Sequence, residues 1–111
     1  MVIRQWRARA AGSNPHGYPN YFRTSVLPAL LQTAGFLGAQ LSARKVDTEI
    51  EFQVQSRWQS MEAITGFAGS DIGRAVVEPG AIAELLTFDL HVEHYDVIED
   101  AGASPGSKAE A

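Results

Sequence analysis

Cysteine is absent from the 111 residues, and with it go disulfides, thiolate nucleophiles and cysteine-based metal sites. No apolar run is long enough to span a bilayer. The first residues, Met-Val-Ile-Arg-Gln-Trp-Arg, hold no apolar stretch of signal-peptide length, so a soluble cytoplasmic protein is expected. Basic residues are few and scattered, nine against thirteen acidic ones, for a net charge of −4. They gather on no face that would neutralise several phosphates, and they form no basic amphipathic helix. Neither nucleic acid nor a membrane surface is therefore an expected partner. Histidines and carboxylates show no metal-ligand spacing. His91 and His94 lie an odd number of residues apart on one predicted strand and point to opposite faces, so they do not chelate together. No metal is expected.

What is present suits one small domain. Apolar residues make up 45% of the chain, enough for a real core. That domain is read as residues 1–98. The remaining tail, 99–111, is alanine, glycine, serine and charge, and is expected to be disordered.

The stretch 52–69 organises the rest. Phe52, Val54, Ser56 and Trp58 fall at period two on one face of a strand, with Gln53, Gln55 and Arg57 on the other. The period then changes, and Met61, Ile64, Phe67 and Ala68 recur at helical spacing. Ser60 sits at the N-cap, Glu62 in the first turn and Gly69 at the C-cap. A strand that ends in Trp58 and turns at once into a helix carrying Phe67 would wall an apolar recess with both rings.

A first strand is predicted over 2–10, with Val2, Arg4, Trp6 and Ala8 on one face. Neither face is cleanly apolar. Arg4 is expected to snorkel outward from the edge of the core. Residues 11–18 are a loop of turn formers containing His16. A helix is predicted over 20–34, where Phe22, Val26, Leu27, Leu30, Leu31 and Ala34 form an apolar stripe, kinked at Pro28 and stopped by Gly35. A second strand spans 36–45, with Leu37, Ala39, Leu41 and Ala43 opposite Phe36, Gly38, Gln40 and Ser42. It returns through 46–48 into a third over 49–58. Residues 72–77 are read as a further helical turn, and Pro79 as the first position of a short helix whose apolar side is Ile82, Leu85 and Leu86. The last strand is predicted over 90–98.

Strand, helix, strand, strand, broken helix, strand is the order of a ferredoxin-like α+β fold with an antiparallel sheet. Helices cover one sheet face. Apolar residues on both faces of the second and last strands call for cover on the other, and a homodimer with sheets face to face would supply it.

Four segments in this order resemble antibiotic-biosynthesis-monooxygenase domains over about residues 2–98. They are Ile3-Arg-Gln-Trp-Arg7, Ala34-Gly-Phe-Leu-Gly38, Trp58-Gln-Ser-Met-Glu-Ala-Ile64 with Phe67-Ala-Gly69, and His94-Tyr-Asp-Val97. The resemblance implies a dimeric α/β barrel with a pocket between each subunit's sheet and helices. Some members of the family oxidise reduced polycyclic phenols with O₂ and no metal or flavin; others degrade haem. The haem-degrading branch carries a Trp on the helix after the strand-ending Trp, and further on an axial His. Phe67 and the neighbourhood of Val77 stand at those positions here, and no His lies between His16 and His91. Haem is therefore not an expected cofactor, and none other is.

A cofactor-free oxygenase must bind a flat ring, take its proton and stabilise the anion. Trp6, Tyr18, Tyr21, Trp58 and Phe67 are the supply of aromatic walls for a small aromatic or hydrophobic ligand. His94 is the candidate base, because Val92 and Ile98 on its face look core-facing; His91 is the alternative. Arg4, if it points inward, would stabilise a phenolate. Trp58 and Phe67 each have a second reading as core packing, and His94 as a cross-sheet hydrogen bonder. The alternative function is a non-catalytic dimer of the same fold that binds a small ligand or serves a stress response.

Overall fold

The computed structural model of the chain describes residues 1–102, so the predicted tail lies largely outside the described residues. Five strands form one sheet: β1 (Val2–Ala11), β2 (Phe36–Val46), β3 (Glu49–Trp58), β4 (Thr87–Phe88) and β5 (Glu93–Asp96). Their order is β2-β3-β1-β4, with β5 beside β4 on the same edge of β1, and every pairing is antiparallel. This is the ferredoxin-like order that the sequence predicts.

The inner face of the sheet carries Val2, Arg4, Trp6, Ala8 and Ala10 from β1, and Phe52, Val54, Ser56 and Trp58 from β3. Trp58, Phe52, Leu30 and Ile64 are its fully buried large side chains. Arg4 lies inside as well, at 5% exposure, so the outward course predicted for it is wrong.

The long helix starts earlier than predicted and is irregular. Helix α1 (Gly17–Tyr21) runs into a π-helical turn (Phe22–Val26) and then α2 (Leu27–Leu31). Leu27 N–H reaches back to the carbonyl of Phe22, one residue further than in an α-helix. The wide turn lies directly before Pro28, whose ring would meet the Thr24 carbonyl in a regular helix. The helix ends at Leu31 with Gln32 as its C-cap, short of the stop predicted at Gly35; Gly35 sits in the turn before β2 at φ 87°, where a Cβ would come within 2.5 Å of the Ala63 Cβ.

β2 contains a bulge between Phe36 and Gly38. The strict alternation predicted for it places Phe36 and Ala39 on opposite faces. The extra residue brings Phe36, Ala39 and Leu41 together against the core and leaves Leu37 exposed. A two-residue turn, Asp47–Thr48, then leads into β3, with Asp47 at a left-handed φ of 54° that its side chain tolerates.

Helix α3 (Met61–Ala68) forms as predicted: the Ser60 Oγ accepts from Ala63 N–H at 3.2 Å, and Gly69 caps the other end at φ 76°. Beyond it the structure departs from the prediction. Residues 72–77 are not helical. Ile72 and Gly73 form a turn, and 73–75 pair with residues 90–92: Ala75 N–H donates to Leu90 O (2.8 Å), and Val92 N–H to Gly73 O (2.9 Å). That pairing draws 90–92 away from β1, so the predicted last strand is split, and β1's edge is filled by β4 and β5. Helix α4 (Pro79–Ile82) is one turn long. Ala81 is its buried residue, while Ile82 and Leu86 are exposed. Ile98, expected in the core, is 98% exposed.

The sheet's other face is polar. Gln40, Gln55 and Gln5 are hydrogen-bonded in a row across three strands, and Arg9 and Arg44 pair with Glu49 and Glu51. It is not the apolar surface that face-to-face pairing was expected to bury.

Removing the Ser60 cap leaves one α3 donor unsatisfied. Ser60→Ala should lower stability by about 1 kcal/mol with an unchanged denaturant slope, as read by urea unfolding.

Candidate active site

A cavity of about 260 Å³ lies between the inner sheet face and the helices. β1 contributes Arg4 and Trp6, α1 contributes Tyr18 and Tyr21, and the π turn contributes Ser25 and Val26. Phe67 comes from the last turn of α3. Ala75, Val76 and Glu78 come from the segment that joins α3 to α4. The volume and the mainly apolar wall suit a small ring system.

Arg4 is the charged group of the cavity's inner wall. Its Nη1 donates to the carbonyl of Ile72 and faces His94 Nε2 at 3.0 Å; its Nη2 donates to the carbonyl of Arg74 at 2.9 Å. All three partners are uncharged acceptors, and no carboxylate pairs with Arg4 among the described residues. Burial pulls its pKa down to about 10, which leaves the guanidinium charged at neutral pH. A positive charge therefore stands at an apolar wall with no counter-ion.

Tyr18 is 3% exposed, among the rings of Trp6 (5.7 Å), Phe52 (5.5 Å), Tyr21 (6.3 Å) and Phe22 (6.4 Å). Burial, then the neighbouring Tyr21, pushes its phenol well above the ordinary range. Tyr21 is raised too, by burial and then by the charge of Glu78. Trp6 donates its indole N–H to Asp89 O at 2.8 Å, which fixes the ring beside the cavity.

Two predicted site residues lie elsewhere. Trp58 is fully buried behind the wall. Its Nε1 donates to Ser56 Oγ at 2.8 Å, and its ring packs between Phe36 (5.4 Å) and Phe67 (6.1 Å). Of the two rings expected to wall the recess, only Phe67 does so; Trp58 has the core role. His94 is on the inner face, directly opposite Arg4 in the β1–β5 register, whereas His91 is exposed. Yet His94 does not line the cavity: its Nε2 is turned to Arg4. A lone pair facing an arginine N–H is not free to take a substrate proton. Glu78, Ser25, Ala75, Val76 and Val92 line the site without having been singled out. Glu78 before Pro79 reads in the sequence as a helix start, and nothing in its spacing aims it at a pocket.

No family model matches the sequence, and no curated protein does. Solved structures do match. In class, this is a small α+β protein with a ferredoxin-like antiparallel sheet. More narrowly, it has the fold of antibiotic biosynthesis monooxygenase proteins, as the sequence resemblance implies. A candidate antibiotic biosynthesis monooxygenase from Bacillus cereus is similar at a TM-score of 0.61 and 18% identity, over 93% of this chain and 96% of that one. A monooxygenase from the ActVA-Orf6 gene of Streptomyces coelicolor, in complex with nanaomycin D, gives 0.59 and 15%, over 93% and 92%. The haem degrader MhuD from Mycobacterium tuberculosis, with two haems in its active site, gives 0.58 and 22%, over 92% and 100%. The residues here do not fit haem in its usual ligation, since among the described residues no imidazole lines the cavity.

The Arg4–His94 contact has a pH signature. Burial, then the charge of Arg4, holds the imidazole below its ordinary value of 6.5. Below that pH the unfolded chain takes up a proton that folded His94 refuses, so stability falls as pH drops towards the lower folded value. His94→Gln keeps an acceptor and removes the titration. It should lose less stability than wild type between neutral pH and the range just below 6.5. Identical losses in urea unfolding would mean that His94 does not titrate against Arg4.

Proposed function

We propose that this chain is a small monooxygenase that holds a flat, acidic aromatic of the phenol or quinol type in the cavity and oxidises it with O₂. The observation that carries this reading is Arg4, a buried cation whose partners among the described residues are all neutral, on a largely apolar wall. Such a group stabilises an anion that forms beside it far more than water-exposed charge would. Trp6, Tyr18, Tyr21 and Phe67 supply aromatic surface for the ring. An electron-rich phenolate passes an electron to O₂ by itself, so the protein's tasks are to bind the ring, exclude water and stabilise the anion. The fold neighbours include proteins described as monooxygenases, which agrees with this reading.

Two measurements test it. Oxygen uptake by purified protein with anthrone, a reduced polycyclic phenol, should exceed the protein-free blank; uptake equal to the blank refutes the activity. Binding separates the charge from the walls. Trp6 fluorescence quenching should show an anionic naphtholate binding at least about tenfold more tightly than naphthalene, a gap of about 1.4 kcal/mol. Arg4→Met should abolish that preference while retaining naphthalene binding. An unchanged preference in the variant removes Arg4 from the site.

We also propose that two copies pair through the open sheet face. With its apolar premise gone, the support is electrostatic: Arg7, Arg9 and Arg44 stand among Glu49, Glu51, Glu93 and Asp89, a surface able to complement itself about a two-fold axis. Sedimentation should give twice the chain mass of 12.0 kDa. A monomer would refute the pairing.

A further inference from the structure

The proposed oxidation needs a group to receive the substrate's proton, and the cavity wall offers few. Arg4 is a cation. Tyr18 and Tyr21 are phenols whose protons are held more tightly than usual. The Ser25 and Ser56 hydroxyls are not bases at neutral pH. His94 lies off the wall, with Nε2 engaged by Arg4. Glu78 remains. It is the wall's one carboxylate among the described residues. It stands at the head of α4 yet caps nothing with its side chain, and among the described residues no hydrogen bond or ion pair restrains its carboxylate.

Taking the substrate as the reduced polycyclic phenol of that reading, in its keto form, we infer that Glu78 is the catalytic base, with the substrate's carbonyl towards Arg4 and its acidic ring CH₂ towards Glu78. The assignment rests on the oxygenase reading above and adds the direction in which the substrate lies. Arg4 is buried on the sheet floor, and Glu78 is exposed at the rim, so the two poles of the cavity differ in depth. A keto phenol has matching poles. Glu78 takes one proton from the CH₂. The C–H electron pair moves through the ring to the carbonyl oxygen, where the enolate faces Arg4. The enolate gives one electron to O₂, and the resulting ring radical and superoxide join at the former CH₂ carbon as a hydroperoxide anion. That anion recovers the proton held by Glu78. Loss of water, using the carbon's remaining hydrogen, leaves a second carbonyl. One substrate and one O₂ thus give one quinone and one water.

The test is oxygen uptake with anthrone by full-length wild type, Glu78→Gln and Glu78→Asp, each against the blank. Glu78→Gln should fold normally, because its side chain caps no helix end. Its kcat should fall about 100-fold or more with KM little changed, as expected when a positioned base is lost. Its residual rate should rise with pH in proportion to hydroxide, whereas wild type stays flat. Glu78→Asp should recover part of the rate. Wild type and Glu78→Gln turning over alike, with the same pH profile, would overturn the assignment and leave the oxygenase standing. Wild-type uptake no faster than the blank would overturn the oxygenase, and the assignment with it.

Discussion

The site depends on a guanidinium buried without a carboxylate partner among the described residues. Taking a charge out of water is costly unless its hydrogens are satisfied, and a carboxylate partner is the usual remedy. Here the remedy is neutral: two loop carbonyls, Ile72 and Arg74, and the imidazole of His94. Each satisfies a hydrogen without cancelling the charge. The cavity therefore keeps a positive potential that an ion pair would have removed. The same bonds fasten β1 to the 72–74 segment and to β5. The residues that follow on that segment, Ala75, Val76 and Glu78, form the cavity's far side. One side chain thus both charges the pocket and holds one of its walls in place.

Two local irregularities give the pocket its shape. The π turn before Pro28 places Ser25 and Val26 on the wall. The bulge in β2 brings Phe36 edge-on to Trp58, closing the Trp into the core and leaving Phe67 as the ring that meets the cavity. Both insert an extra step into a regular ladder, and both re-aim side chains that regular geometry would have sent elsewhere.

Those irregularities also mark where the sequence stops being readable. Period-two runs in β1 and β3, the Ser60 and Gly69 caps and the element order were all legible, because each is set by neighbours along the chain. The bulge at Phe36–Gly38 was not, since Gly38 signals freedom without saying how it is used. Residues 72–77 read as a helical turn, but their backbone bonds go to 90–92, a pairing between distant segments that no local pattern encodes. Arg4 was misjudged for a related reason. Its burial depends on carbonyls about seventy residues away, so the usual preference of arginine for water was the best local guess. His94 was placed on the correct face, but only the register opposite Arg4 shows that its Nε2 is already taken.

The haem degrader MhuD shares this fold. A pocket of the same fold there holds two haems. Haem iron takes an axial donor from the protein. Among the described residues no imidazole lines this cavity, and its charged groups are Arg4, buried on the sheet, and Glu78, which is exposed. An axial ligand acts on one central atom. In the proposed reaction Arg4 and Glu78 would act on the two ends of one conjugated molecule, the first drawing electron density and the second a proton. Under that proposal the ligand's own ring carries charge between its ends, and the electron transfer is left to the ring and to O₂.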